Sequence, residues 1–264
     1  MLASIPPALE TNALAITHVD ALAVDGTADM MGSVTSLMLE AEQNAPHARE
    51  DIVLPARADT RYASIYRWGL DPRLLALAQA YLQCPVAYDG CELVYTPAIA
   101  GEGGARTWHR DREDWRVLKL IVYLNDVDDG GAPFQILNGG LFGDDQSGQT
   151  AFPLMKEADV VRALGCPIGK EHVTTCCGSA GTVVLVDGVR YFHRRKPPGH
   201  QPRYAAMFSY FSRQPRNPFY CNRSHLGGAQ IRAMTADLSD DQQRAARWRE
   251  ALPLPFSLVP VSMR

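Results

Sequence analysis

The chain has 264 residues, 46% of them hydrophobic and 21% charged, with a formal net charge of −3, so it can bury a large core without cross-links. This near-neutral balance points away from nucleic acid or an anionic membrane surface as a partner, and no apolar run approaches the ~18 residues of a bilayer span. Met1 to Glu10 lacks the basic and apolar regions of a secretory signal, and the six cysteines (84, 91, 166, 176, 177 and 221) show no C-x-x-C spacing. We therefore expect reduced thiols in a cytoplasmic protein, with neither a disulfide framework nor a cysteine zinc site.

Residues 1–16 read as an irregular or extended lead-in, with Pro6-Pro7 blocking an early helix. From about Asp29 to Gln43, Met30, Met31, Val34, Leu37, Met38 and Leu39 recur at helical spacing and predict a helix packed on the core. Asp71-Pro72 opens a second helix, Asp71 as N-cap and Pro72 at the first helical position, with Leu74, Leu75, Leu77, Ala78 and Tyr81 on its apolar face. After Cys84-Pro85 the pattern turns strand-like, at Cys91 to Thr96 and Val117 to Leu124. Gly101 to Gly104 reads as a flexible loop, Asp128-Asp129-Gly130-Gly131 as a turn, and Asn138 to Gln149 as a loop and candidate lid. Strands follow at about 172–177 and 182–187, then from Arg203 to Phe211. Ser239 and Gln242 form a capping box for a helix from Asp240 to Ala251, whose Arg244, Arg247 and Arg249 read as a solvated face. Many short strands from 90 to 212 flanked by helices suit a mainly β fold around a double-stranded β-helix, the jelly-roll or cupin core.

The chemistry concentrates at Trp108-His109-Arg110-Asp111. In an H-x-D triplet an imidazole and a carboxylate can converge on one divalent metal. His193, after the apolar run Thr182 to Val186 and the tight Asp187-Gly188 turn, is the best third ligand. Two histidines and a carboxylate on one face of a metal, with the opposite positions open, is the geometry of non-heme Fe(II) oxygenases. Arg203 follows His193 by ten positions and can hold a carboxylate through two parallel hydrogen bonds.

At these residues the chain resembles the Fe(II)/2-oxoglutarate-dependent dioxygenases, in their phytanoyl-CoA dioxygenase-like branch. Four stretches carry the resemblance: Thr107 to Asp111, Tyr123 to Phe134, Gly181 to Asp187 leading to His193-Arg194, and Arg203 to Tyr210. Asn138-Gly139-Gly140 stands where the family places Pro-Gly-Ser-His, a departure in the loop and its substrate contacts.

The resemblance implies one oxygenase domain over 1–264: helical N-terminal support over 1–85, a jelly-roll core over 86–212 and a helical extension over 213–264. It implies Fe(II) on His109, Asp111 and His193, with 2-oxoglutarate on the metal and its far carboxylate on Arg203. Oxygen is the co-substrate, succinate and CO2 are released, and the expected outcome is hydroxylation of a small polar metabolite or natural-product intermediate. Asp111 speaks against halogenation, since related halogenases leave that position to a small residue.

Lys119, Ile121 and Tyr123 share one strand face, so Lys119 or Tyr123 can touch 2-oxoglutarate or substrate, unless Lys119 lies on the outer face with its charge solvated. Trp108 and Arg194 are further substrate candidates, Trp108 with packing as its alternative. Arg194, Arg195, Lys196, Arg213, Arg216 and Arg223 suggest an anionic-substrate funnel or solvated loops. His18, His47, His172, His200 and His225 read as structural or surface residues. The competing readings are a cupin-type metal-dependent hydrolase or isomerase, and a non-catalytic binding barrel. No protein partner is evident.

Overall fold

The structure, a computed structural model, describes residues 5–55, 60–99, 104–139, 154–221 and 226–254. Its strands are β1 (Leu14–His18), β2 (Ile52–Leu54), β3 (Val86–Thr96), β4 (Trp108–His109), β5 (Leu118–Tyr123), β6 (Phe134–Leu137), β7 (Leu154–Met155), β8 (Val173–Cys176), β9 (Thr182–Val186), β10 (His193–Arg195) and β11 (Arg203–Ser212). They form two antiparallel sheets, a major one in the order β1-β9-β5-β11-β3-β2 and a minor one in the order β7-β4-β10-β6-β8.

Period-two alternation decides what each face of the major sheet meets. Leu118, Leu120 and Val122 of β5, with Val183, Leu185, Ala206, Phe208 and Tyr210, point to one side and pack with the helices. Ile121, Tyr123, Val184, Val186 and Ala205 point to the other and meet Phe134, Ile136 and Cys176 of the minor sheet. With both faces covered, every residue of β3, β5 and β9 is buried, which explains the continuous apolar sequence of β9 and, Lys119 aside, of β5. The helices Thr27–Asn44, Thr60–Trp68 and Pro72–Leu82 supply the outer cover; the first buries Met30, Val34, Leu37 and Met38. Asp71 caps the third by accepting from the Arg73 amide at 2.8 Å.

Several expectations need correction. Pro6-Pro7 does not block a helix: Pro7 opens one, Pro7–Asn12, because proline's missing N–H costs nothing in the first turn. The residues that follow take the extended alternative, since β1 runs along β9 from Leu14↔Val186 to His18↔Thr182. Strand β3 begins at Val86, not Cys91. Asp89-Gly90 imitates a turn, but Gly90 at φ +97° sits where the pairing with β11 slips by one residue between Ser209 and Tyr210, a bulge inside a continuous strand. The helix Thr60–Trp68 escapes a pattern search because its buried positions are Tyr62, Ile65, Tyr66 and Trp68, weak helix formers held by packing.

The late helix ends at Ala246 and continues as a 3-10 turn, Trp248–Ala251. There Ser239 N–H donates to Gln242 Oε1 at 3.0 Å. Arg249 does not lie on a solvated face: its guanidinium donates to the carbonyls of Pro218 at 3.1 Å and Cys221 at 2.7 Å. All six cysteines are free thiols, and no helix among the described residues is long and apolar enough to cross a membrane.

Candidate metal centre and its cavity

Strand pairing alone brings the two histidines together. His193 opens β10 and lies directly opposite His109 at the end of β4, with ring centroids 4.4 Å apart. Asp111 follows two residues later, and its amide donates to the Gly188 carbonyl at 2.9 Å, so the turn between β9 and β10 draws the carboxylate in. One ligating atom from each of His109, Asp111 and His193 falls within 4.8 Å of the others. Asp111 Oδ2 is 3.8 Å from His193 Nε2.

Each ring is oriented through its other nitrogen: Nδ1 of His109 donates to Thr107 O at 2.8 Å, and Nδ1 of His193 to Tyr191 O at 3.3 Å. That leaves both Nε2 atoms for the centre, the arrangement that ligating histidines need. Burial, with His109 beside it, pushes the His193 pKa down to about 3, so the ring is neutral and ready to ligate at ordinary pH. Phe134 stacks against His193 at 5.3 Å. Gly188 leaves no room for a side chain, since a Cβ there would lie 2.0 Å from Asp111 Oδ2 and 2.7 Å from His193 Cε1. The donor set of two neutral imidazoles and one carboxylate fits a borderline divalent metal.

Lys119 points into the barrel from β5, which excludes the solvated outer face. Its Nζ lies 2.5 Å from Asp111 Oδ1 and 3.5 Å from Glu113 Oε1.

A cavity of about 670 Å³ opens between the sheets at this point, lined among others by His109, Asp111, Lys119, His193, Arg203 and Met207. That volume suits a small-molecule site. Arg203, first residue of β11, is 3% exposed, and its guanidinium lies 5.0 Å over the Tyr123 ring. Beside it Asp51 is shared by Arg195 at 2.6 Å and Arg106 at 2.8 Å, while Arg195 also donates to Thr96 Oγ1 at 3.0 Å. Among the described residues Arg203 forms no ion pair with a carboxylate, and its Nε has no hydrogen-bond partner. Burial lowers its pKa, Tyr123 working against the shift, but a guanidinium keeps its charge. A buried cation facing a cavity, with Asp51 acting on it only from beyond ion-pair distance and already shared by two other arginines, is a place for an anionic ligand.

Of the remaining substrate candidates, Tyr123, Trp108 and Arg194, only Arg194 reaches the cavity. Tyr123 does not line the cavity; its hydroxyl accepts from Phe134 N–H at 3.0 Å and donates to Cys176 O at 2.9 Å, making it a platform under Arg203. Trp108 is fully buried with Leu137, Val160, Val173 and Phe192, so it packs. Arg194 lines the cavity, stacked on Trp108 at 4.3 Å, bonded to Gln135 at 2.9 Å and paired with Glu157.

Of the other described cations in the predicted funnel, Arg195 lines the cavity, whereas Lys196 pairs with Asp129 at 2.6 Å, Arg213 donates to Val86 O at 3.2 Å and Arg216 lies over Trp115 at 4.2 Å. His18 and His200 serve local structure, bonding Ala180 O at 3.1 Å and Asp128 at 3.1 Å. Arg223, His225, Gly101 to Gly103 and residues 140–149 of the candidate lid lie outside the described residues. Asp51 and Glu113 were not singled out from the sequence, and Gly188 only as part of the turn before His193.

No protein-family model matches the sequence, and no curated protein does. Solved structures do match in fold. HygX from Streptomyces hygroscopicus, with nickel and 2-oxoglutarate bound, aligns at a TM-score of 0.50 with 13% identity, over 77% of this chain and 84% of that one. The epimerase SnoN, in complex with Fe3+, alpha ketoglutarate and nogalamycin RO, aligns at 0.51 with 17% identity, over 78% and 81%. EctD from S. alaskensis, with 2-oxoglutarate and 5-hydroxyectoine, aligns at 0.51 with 20% identity, over 78% and 74%. The chain therefore has the cupin-like double-stranded β-helix of these structures.

Proposed function

We propose that this protein is an Fe(II)- and 2-oxoglutarate-dependent oxygenase that hydroxylates a small polar metabolite or natural-product intermediate. The observation that carries the reading is Arg203, a buried guanidinium with no carboxylate partner in the same cavity as His109, Asp111 and His193. In this reading the three side chains hold Fe(II), which with 2-oxoglutarate and O2 supplies an oxidant for a substrate C–H while succinate and CO2 leave. Arg203, levelled on Tyr123, takes the far carboxylate of 2-oxoglutarate by paired charge-assisted hydrogen bonds, strong where water is scarce. Ile121, Phe134 and Met207 give the cavity its apolar wall and keep water from the reacting atoms.

The ligands in the structures of like fold, nogalamycin RO with SnoN and 5-hydroxyectoine with EctD, support a small-molecule substrate. The free thiols fit a reducing compartment, and we place the protein in the cytoplasm. A hydrolase or isomerase that works on the same three ligands without 2-oxoglutarate leaves Arg203 without a task.

The test is succinate formation from 2-oxoglutarate with Fe(II) and ascorbate, alongside calorimetric titration of 2-oxoglutarate into the metal-loaded protein. Saturable binding and succinate release are expected. The absence of both binding and turnover would sink the proposal. A thermal-shift screen of candidate metabolites, with the metal and an inactive 2-oxoglutarate mimic present, then addresses the substrate.

A further inference from the structure

We propose that Lys119 is a positioning residue for Asp111, restricting that carboxylate to a single ligating oxygen; the inference rests on the metal-centre reading above. A carboxylate can hold a divalent cation through one oxygen or both. Here the two oxygens have different surroundings. Oδ1 carries the Lys119 ammonium at 2.5 Å, while Oδ2 faces His193 Nε2 at 3.8 Å and is backed by Gly188, where even a Cβ would approach to 2.0 Å. Lys119 and Asp111 side chains are 7% and 6% exposed, so water neither competes for nor screens the pair. Nor can the lysine drift along the wall, because β5 is fixed on both sides, Lys119 standing opposite Ser209 of β11 and Val186 of β9.

An ammonium beside a metal carries an electrostatic penalty, and Glu113 offsets it. The carboxylate two residues beyond Asp111 reaches the same Nζ at 3.5 Å. Counting these three groups alone, one ammonium between two carboxylates leaves one net negative charge, the same charge that a lone ligating aspartate would present. The geometry thus gains a locked oxygen without changing the charge facing the cation. The consequence is a free coordination position, since two-oxygen binding by Asp111 would occupy one that 2-oxoglutarate or O2 needs.

The double variant K119M/E113Q separates position from charge, because it removes the ammonium yet keeps one net negative charge at the site. Co(II) alone is the probe, added to the full-length protein, its visible absorption reporting coordination; 2-oxoglutarate is then titrated in. Wild type and K119R should share one spectrum, Asp111 binding through Oδ2 alone. The double variant should take up Co(II) with a changed spectrum and bind 2-oxoglutarate about tenfold more weakly, ~1.4 kcal/mol. The single variant K119M should show the same spectral change. E113Q, which keeps the locked oxygen and unbalances the charge, should keep the wild-type spectrum while binding Co(II) about tenfold more weakly. Co(II) uptake with a wild-type spectrum and wild-type 2-oxoglutarate affinity in K119M/E113Q would overturn this inference alone. A wild type that takes up no Co(II) would overturn the metal-centre reading and this inference with it.

Discussion

At the scale of single residues, Arg203 and Gly188 act in opposite ways, one by what it offers and the other by what it lacks. Truncating Arg203 removes a buried bidentate partner for a carboxylate, a loss on the order of 2–5 kcal/mol. Arg203→Ala should raise the apparent KM for 2-oxoglutarate by roughly 30-fold or more, since ~1.4 kcal/mol is a factor of ten. An unchanged KM would assign the carboxylate to another cation of the cavity. Gly188→Ala places a methyl group 2.0 Å from Asp111 Oδ2 and so must displace the carboxylate. We expect Fe(II) affinity to fall about tenfold or more, while circular dichroism stays that of a folded protein. Full affinity would show that Asp111 can be displaced without loss. His109, Asp111, His193 and Arg203 were legible in the sequence because motif spacing and neighbouring strand patterns carry them. The roles of Gly188 and Asp51 were not, because each acts on residues far along the chain, through a contact that only folding creates.

Among the elements, the turn from β9 to β10 does the most to assemble the centre, and Asp187 holds it. This fully buried carboxylate accepts from Tyr81 Oη at 3.0 Å, Val189 N–H at 3.1 Å and Val117 N–H at 3.4 Å, joining helix Pro72–Leu82, β5 and the turn. Burial raises its pKa from 3.8 to about 6, against the opposing pull of those donors and Arg116. A carboxyl with a folded pKa above its unfolded one binds protons more tightly when folded. Its contribution is therefore full below about pH 4 and declines as pH rises through about 6, by up to ~3 kcal/mol. Asp187→Asn cannot titrate, so the stability difference between the two proteins in urea should change across pH 4–6 and be constant outside it. A pH-independent difference would refute the assignment. Strand β9 before this turn was readable as an apolar run, whereas β10, three residues long, was not. The bulge at Gly90 and the helix from Thr60 were not, since tertiary pairing overrides local preference at both.

Across the whole molecule the two sheets are unequal. The major sheet contains strands of 11 and 10 residues, whereas the minor sheet is made of strands of two to four. The long sheet, buried between helices and barrel, supplies the stability, and the short one supplies both histidines. Few backbone hydrogen bonds hold β4 to β10, yet the ligands on them come from segments far apart in sequence. A cation shared by His109 and His193 would be a staple across the weakest seam of the barrel. Ligand binding to the folded state alone adds stability in proportion to the logarithm of its concentration, and here that gain should be local. Adding Ni(II) to metal-free protein should slow hydrogen exchange at residues 108–111 and 193–195 and leave β3 and β11 unchanged. Uniform slowing across both sheets would mean that the staple tightens the entire barrel. If it is local, a cell short of iron would hold a folded barrel with an unfastened seam, and proteases would find that seam before they cut the major sheet.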